Sequence, residues 1–137
     1  MISYLYENVE QASFNQKEVS RWIKNTVALY GKKTGNVSYV FCTDNRILEV
    51  NQQFLQHDYY TDIITFDYSE QDMISGDLFI SLDTVKSNAE KFGESFEKEL
   101  YRVIIHGILH LCGQNDKTPE EQAEMTQKEN LALLNII

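Results

Sequence analysis

His106 and His110 stand four residues apart in the stretch HGILHLCGQND, and Asp116 follows the second histidine by six. On a helix, residues at i and i+4 lie one turn above each other, with Cβ atoms ~5–6 Å apart. Zinc–nitrogen bonds of ~2.0–2.1 Å put two tetrahedral ligands roughly 3.4 Å apart, a separation that two such imidazoles reach with ordinary rotamers. Gly113 lets the chain leave the helix, because glycine accepts the left-handed conformation that ends one. The turn can then bring Asp116 back to the same point. Two histidines and a carboxylate would hold one divalent metal ion, zinc foremost, and leave a position open for water.

A competing reading gives the histidines no ligand role. Leu100, Val103, Ile104, Ile108 and Leu111 form an apolar stripe, and Ile105, Leu109 and Cys112 extend it. This helix must be mostly buried, and a lone histidine beside such a stripe is more often a hydrogen-bonded core residue. The pair, flanking the stripe about 40° apart in projection and followed by a glycine turn and a carboxylate, favours the metal. The chemistry is bounded too. In the zinc-peptidase pattern H-E-x-x-H a glutamate after the first histidine is the general base; here that position is Gly107. A peptidase mechanism lacks its base, and no other residue declares itself as one, so the catalytic residues stay unassigned.

Placing such a helix requires a core. ISYLYEN (2–8) and NVSYVFCT (36–43) read as strands by their branched and aromatic content. Residues 15–33 carry Val19, Trp22, Ile23, Val27, Leu29 and Tyr30 near helical spacing, with Gly31 to end the helix. Residues 44–56 read as a helix with Asp44 as its N-cap. DIITFDYS (62–69) and GDLFISLD (76–83) are strands close enough for an antiparallel hairpin. Asp83 is expected to cap a helix running to about Phe92, and Ser95 the helix that carries the histidines and stops at Gly113. Thr118, Pro119 and Glu121 form a capping-box start for the last helix, whose tail LALLNII should return to the core. The order β-α-β-α-β-β-α-α-α predicts an α+β fold. It is a small mixed four-stranded sheet covered by helices, with the metal site on a central helix and the turn after it.

The 137 residues suit one domain, 1–137, with no repeat or linker. Cys42 and Cys112 are too few for a disulfide framework and suit buried thiols in a reducing compartment. No apolar run approaches the ~20 residues that span a bilayer. The N-terminus has no basic segment followed by a long apolar one, so a cytoplasmic protein is expected. The net charge of −9 repels nucleic acid, so an RNA partner would need a local basic patch. Lys32 and Lys33, with Arg21 and Lys24, are the candidates, although lysines also suit a helix C-terminus.

With these residues assembled, the sequence resembles the YbeY family of bacterial endoribonucleases. His106, Gly107, Leu109, His110, Leu111 and Gly113 match its H-G-x-L-H-L-x-G run, and Glu121 and Met125 keep register beyond it. Upstream, Asn51, Phe54, Thr61, Asp62, Ile63, Ile64, Thr65 and Phe66 meet a second motif, and Gly76, Asp77 and Leu78 a third. The resemblance implies a metal-dependent endoribonuclease, single-strand-specific, acting in ribosomal RNA maturation and ribosome quality control. Its implied partners are ribosomal RNA and the ribosome or small-subunit proteins, not DNA or membrane, and the implied state is a monomer.

Two departures stand out. Asp116 occupies the place of the family's third ligand, a histidine. A carboxylate is an acceptable zinc ligand, but its charge should make the ion a weaker Lewis acid and widen tolerance for Mn²⁺ or Fe²⁺. The family's arginine, which would clamp phosphate, falls at Leu55, with Gln56 and His57 as possible stand-ins. A ribosome-associated, metal-containing binding module without nuclease activity is therefore the alternative. A two-histidine-carboxylate iron oxygenase ranks third, since that triad rests on β scaffolds and no basic anchor for a co-substrate is evident.

Overall fold

The computed structural model describes residues 1–55 and 61–136. Its elements follow the expected order: β1 (Ile2–Tyr6), α1 (Gln16–Leu29), β2 (Lys33–Cys42), α2 (Asp44–Leu55), β3 (Ile63–Asp67), β4 (Met73–Ser81), α3 (Leu82–Phe92), α4 (Phe96–Leu111) and α5 (Pro119–Leu133). The four strands form one sheet in the order β1-β2-β4-β3. β1, β2 and β4 run parallel, and β3 pairs antiparallel with β4. The mixed sheet follows from the connections. A parallel neighbour needs a crossover, which α1 provides between β1 and β2, whereas β3 and β4 are close enough in sequence for a direct turn.

Alternation along the strands makes two apolar faces. Tyr39, Phe41, Leu78 and Ile80 face the main core with α1 and α4, while Ile64, Phe66 and Phe79 face Ile47 and Val50 of α2. Two long-range bonds fix the main layer. The Tyr39 hydroxyl donates to the Ile104 carbonyl (2.9 Å), and the Trp22 indole N–H to the Ala132 carbonyl (2.8 Å).

Helix α4 is the centre of the molecule. Its buried residues include Leu100, Val103, Ile104, Ile105, Ile108 and Leu109, which leaves a narrow polar strip through Arg102, His106 and His110. Gly107 explains how it lies so close to the sheet. A Cβ there would run into the side chains of Leu78 on β4 and Ile63 on β3. The residue that removes the peptidase base is thus also the one that lets the histidine helix seat on the strands.

Several local expectations are corrected. Helix α1 ends at Leu29, with Gly31 at φ 71°, and Lys33 opens β2, so Lys32 and Lys33 lie beyond the helix end. Ser81, not Asp83, caps α3 by accepting from the Thr84 N–H, because the helix starts directly at the end of β4. The Asp83 carboxylate instead accepts from the N–H of Asp44. Asp44 is not a cap either: Thr43 accepts from the Arg46 N–H, and the Asp44 carboxylate takes the hydroxyls of Ser81 and Thr84. The starts of α2 and α3 are tied together by these bonds. The caps expected at Ser95 and Thr118 are present, the latter with its full capping box. In the tail, Ala132 and Leu133 are buried but Leu131 and Leu134 are exposed.

Candidate metal centre

α4 ends by a turn that determines where Asp116 goes. Gly113 adopts φ 101°, its N–H bonds the His110 carbonyl (2.9 Å), and the Gln114 N–H bonds the Leu109 carbonyl (3.0 Å). This paired arrangement is the Schellman motif, which reverses the chain after a helix. Asp116 is thereby returned to the histidines. His106 Nε2 and His110 Nε2 are 3.0 Å apart, and Asp116 Oδ2 lies 3.4 Å from the first and 3.3 Å from the second. These separations lie at or a little below the roughly 3.4 Å expected between tetrahedral ligands of zinc.

The outer ring nitrogens are both occupied. His110 Nδ1 is 2.8 Å from the Gln114 carbonyl oxygen, which only accepts, so Nδ1 carries a proton and the neutral ring keeps its lone pair on Nε2. His106 Nδ1 is 2.6 Å from Glu129 Oε2 of α5. Glu129 is buried and held in turn by Arg102 (3.0 Å), whose guanidinium also donates to Asn130. With both rings neutral, the inner side of the cluster presents two imidazole lone pairs and a carboxylate oxygen to one another. Such a donor set calls for a cation between its members, and the three residues could hold a metal ion. The carboxylate–histidine arrangement orients a ligand ring and raises its basicity.

Burial opposes charge on His106, but the hydrogen bond and charge of Glu129, with the charges of Asp62 and Asp116, outweigh it and raise the pKa above 6.5. With side chains 24% and 27% exposed, His106 and His110 are reachable from a cleft of about 780 Å³. β3 and the chain before it form one wall, from Thr61 to Thr65 together with Asp67, and Asn51 of α2 contributes as well. Asp62 lines this cleft, and burial raises its carboxyl above the ordinary range against the lowering effects of His106 and nearby backbone N–H groups. Among the described lining residues Lys117 is the sole cation. Arg21 and Lys24 line a different groove beside β1, and neither Lys32 nor Lys33 lines the metal cleft. His57 and Gln56 lie outside the described residues.

Glu129, Gln114 and Asp62 were not singled out from sequence as parts of a site. Glu129 sits 23 residues from His106, and only its period on α5 relative to Met125 could have placed it toward α4.

The geometry can be set against known proteins. The family model described as Endoribonuclease YbeY matches residues 5–136. The chain belongs to the YbeY family. A Phocaeicola vulgatus protein named Endoribonuclease YbeY is 62% identical over 97% of this chain and 96% of its own. Its Bacteroides thetaiotaomicron namesake is 58% identical over 96% of each. Among solved structures, a Thermotoga maritima protein determined in solution matches with a TM-score of 0.70 and 30% identity, over 99% of this chain and 89% of that one. YbeY membership accords with the α+β fold and with a centre that could take a metal; it does not by itself say which ion.

Proposed function

We propose that this chain, as one domain of residues 1–137, is a metal-dependent endoribonuclease of single-stranded RNA. It would act in ribosomal RNA maturation and ribosome quality control, in the cytoplasm and as a monomer delivered to its substrate by the ribosome or small-subunit proteins. Its ligands are His106, His110 and Asp116, and its ion is zinc. The observation that carries this reading is the approach of three donor atoms within 3.4 Å at the floor of an open cleft, in a chain of the YbeY family. No helix among the described residues is long and apolar enough to cross a membrane.

A bound divalent ion supplies Lewis-acid polarisation of a phosphoryl oxygen and offsets charge in the transition state. The chain's own residues do the rest. Glu129 and the Gln114 carbonyl fix the ring orientations, so both Nε2 atoms face inward. Asp62 is the group we assign to proton transfer, since it lines the cleft beside the three ligands and burial raises its carboxyl above the ordinary range, which favours a general base. Lys117 is the cation at the cleft available to a flanking phosphate.

One observation favours the alternative of a binding module without nuclease activity: apart from Lys117, the charged described residues of the cleft are acidic or potential ligands. A cleavage assay separates the two. Chelated and zinc-reloaded protein is incubated with a labelled single-stranded ribosomal RNA fragment. Cleavage restored by zinc and reduced at least 10-fold in Asp62→Asn, with metal content retained, supports the enzyme. Intact RNA under all loading conditions would leave the binding module.

A further inference from the structure

The metal cleft has a β-edge for a wall. Among the described residues, β3 is the terminal strand of the sheet and is bonded to β4 on one side only. Its outward groups follow from the ladder. The Ser81 N–H bonds the Asp62 carbonyl and the Tyr68 N–H bonds the Ser75 carbonyl, both at 2.9 Å. In an antiparallel pair, hydrogen-bonded and non-bonded positions alternate. Residues 62, 64, 66 and 68 therefore turn their peptide groups toward β4, and residues 63, 65 and 67 turn theirs away. The Ile63 N–H lies beside the Asp62 carboxylate and favours its charged form, and the Ile63 carbonyl accepts weakly from Thr61 at 3.5 Å. Thr65 is different. Its N–H and its C=O both point outward from the edge, and Thr65 lines the same cleft as His106, His110 and Asp116.

We propose that the outward N–H and C=O of Thr65 form a main-chain docking point for an unpaired nucleobase of the RNA whose phosphate lies at the metal centre. This rests on the endoribonuclease reading above. A donor and an acceptor from one residue side by side match the pairing edge of any base. Adenine and cytosine offer a ring nitrogen acceptor next to an amino donor; guanine and uracil offer a ring N–H next to a carbonyl. Such a contact distinguishes paired from unpaired bases without reading identity, because a base in a duplex has already spent that edge on its partner. It also suits an acidic cleft, since it holds the neutral base and leaves the phosphates to the ion and Lys117.

The test removes one hydrogen-bond donor and nothing from the sheet. Proline is tolerated at an edge position whose N–H faces away from the neighbouring strand, so Thr65→Pro deletes the outward donor and keeps the β3–β4 ladder. Metal content and circular dichroism establish that the variant folds and loads. The expected result, with a short single-stranded RNA, is a KM raised about 3- to 10-fold with kcat changed less than 2-fold, the worth of one hydrogen bond. Should Thr65→Pro not accumulate, the wild-type protein is given an all-uridine RNA whose bases carry an N3-methyl group that blocks the pairing edge. A KM raised about 3- to 10-fold over the unmethylated RNA is expected, and an unchanged KM overturns the inference. An unchanged KM in folded Thr65→Pro overturns the inference while wild-type cleavage leaves the enzyme reading standing. A loss as large in Thr65→Ala assigns the effect to the side chain and also overturns it. Absence of RNA cleavage by the loaded wild type overturns both.

Discussion

At one edge of the sheet, Lys17, Arg21 and Lys24 of α1 line a groove with Ile2, Ser3 and Tyr4 of β1. At the other, Asp62, Asp67 and Asp116 line one cleft with two histidines beside β3. Three strand spacings, about 14 Å, separate the edges. A net charge of −9 gives no hint of this division. The basic groove would attract phosphate yet holds no group able to cut it. The acidic cleft holds the donors for a cation and would repel RNA until the cation is there. On the proposed endoribonuclease reading, metal loading would control substrate entry as well as chemistry, and the basic edge would contribute attraction alone.

The contrast breaks most readily at Glu129. Glu129→Gln keeps the volume but removes the charge behind His106, and metal affinity at pH 8 is expected to fall about 10- to 100-fold. The elevated His106 pKa means that protons compete with the ion as pH falls. Because the glutamine variant loses that elevation, the affinity ratio should narrow toward pH 6. A ratio independent of pH in competition titrations would show that Glu129 does not set the basicity of the ring.

Gly107→Ala attacks the seat of the helix. The added methyl meets the ends of the Leu78 and Ile63 side chains, which can partly yield. A loss of about 1–2 kcal/mol, read from denaturant midpoints, is expected. No loss would mean that α4 does not depend on that close approach.

The chelated protein sharpens the comparison through pH. A folded-state pKa raised above the unfolded value contributes stability that is full below about 6.5 and disappears as pH rises through the folded value. Metal-free protein should therefore lose a small part of its stability between pH 6 and pH 8, by thermal melting. The loaded protein should gain over the same interval, since the ion requires an unprotonated His106. Parallel slopes would contradict the assignment.

Smallest of all is the effect expected at the basic edge. Arg21→Glu with Lys24→Glu should leave metal content unchanged and stability within about 0.5 kcal/mol, while RNA binding becomes less salt-dependent. Loss of metal in that double variant would end the separation of the two edges.

Much of the site was legible because it is local. His106, His110, Gly113 and Asp116 lie within eleven residues, and helical period plus one glycine turn suffices to bring them together. The mixed sheet was legible in the alternation of crossover and hairpin spacings. The supports were not, because they come from tertiary contacts. Glu129 and Arg102 meet across two helices, and the Gln114 carbonyl is a backbone group that no side-chain pattern announces. The cap errors have the same origin. Asp44 and Asp83 carry good capping side chains, but the approach of α2 and α3 engages each with the other helix, leaving the capping to Thr43 and Ser81.

The most direct test of the central claim is metal content by mass spectrometry, on protein purified without added metal and on its Asp116→Ala variant. About one equivalent of zinc is expected in the wild type, with a sharp fall in the variant. A full equivalent retained in the variant, or none in the wild type, would contradict that claim.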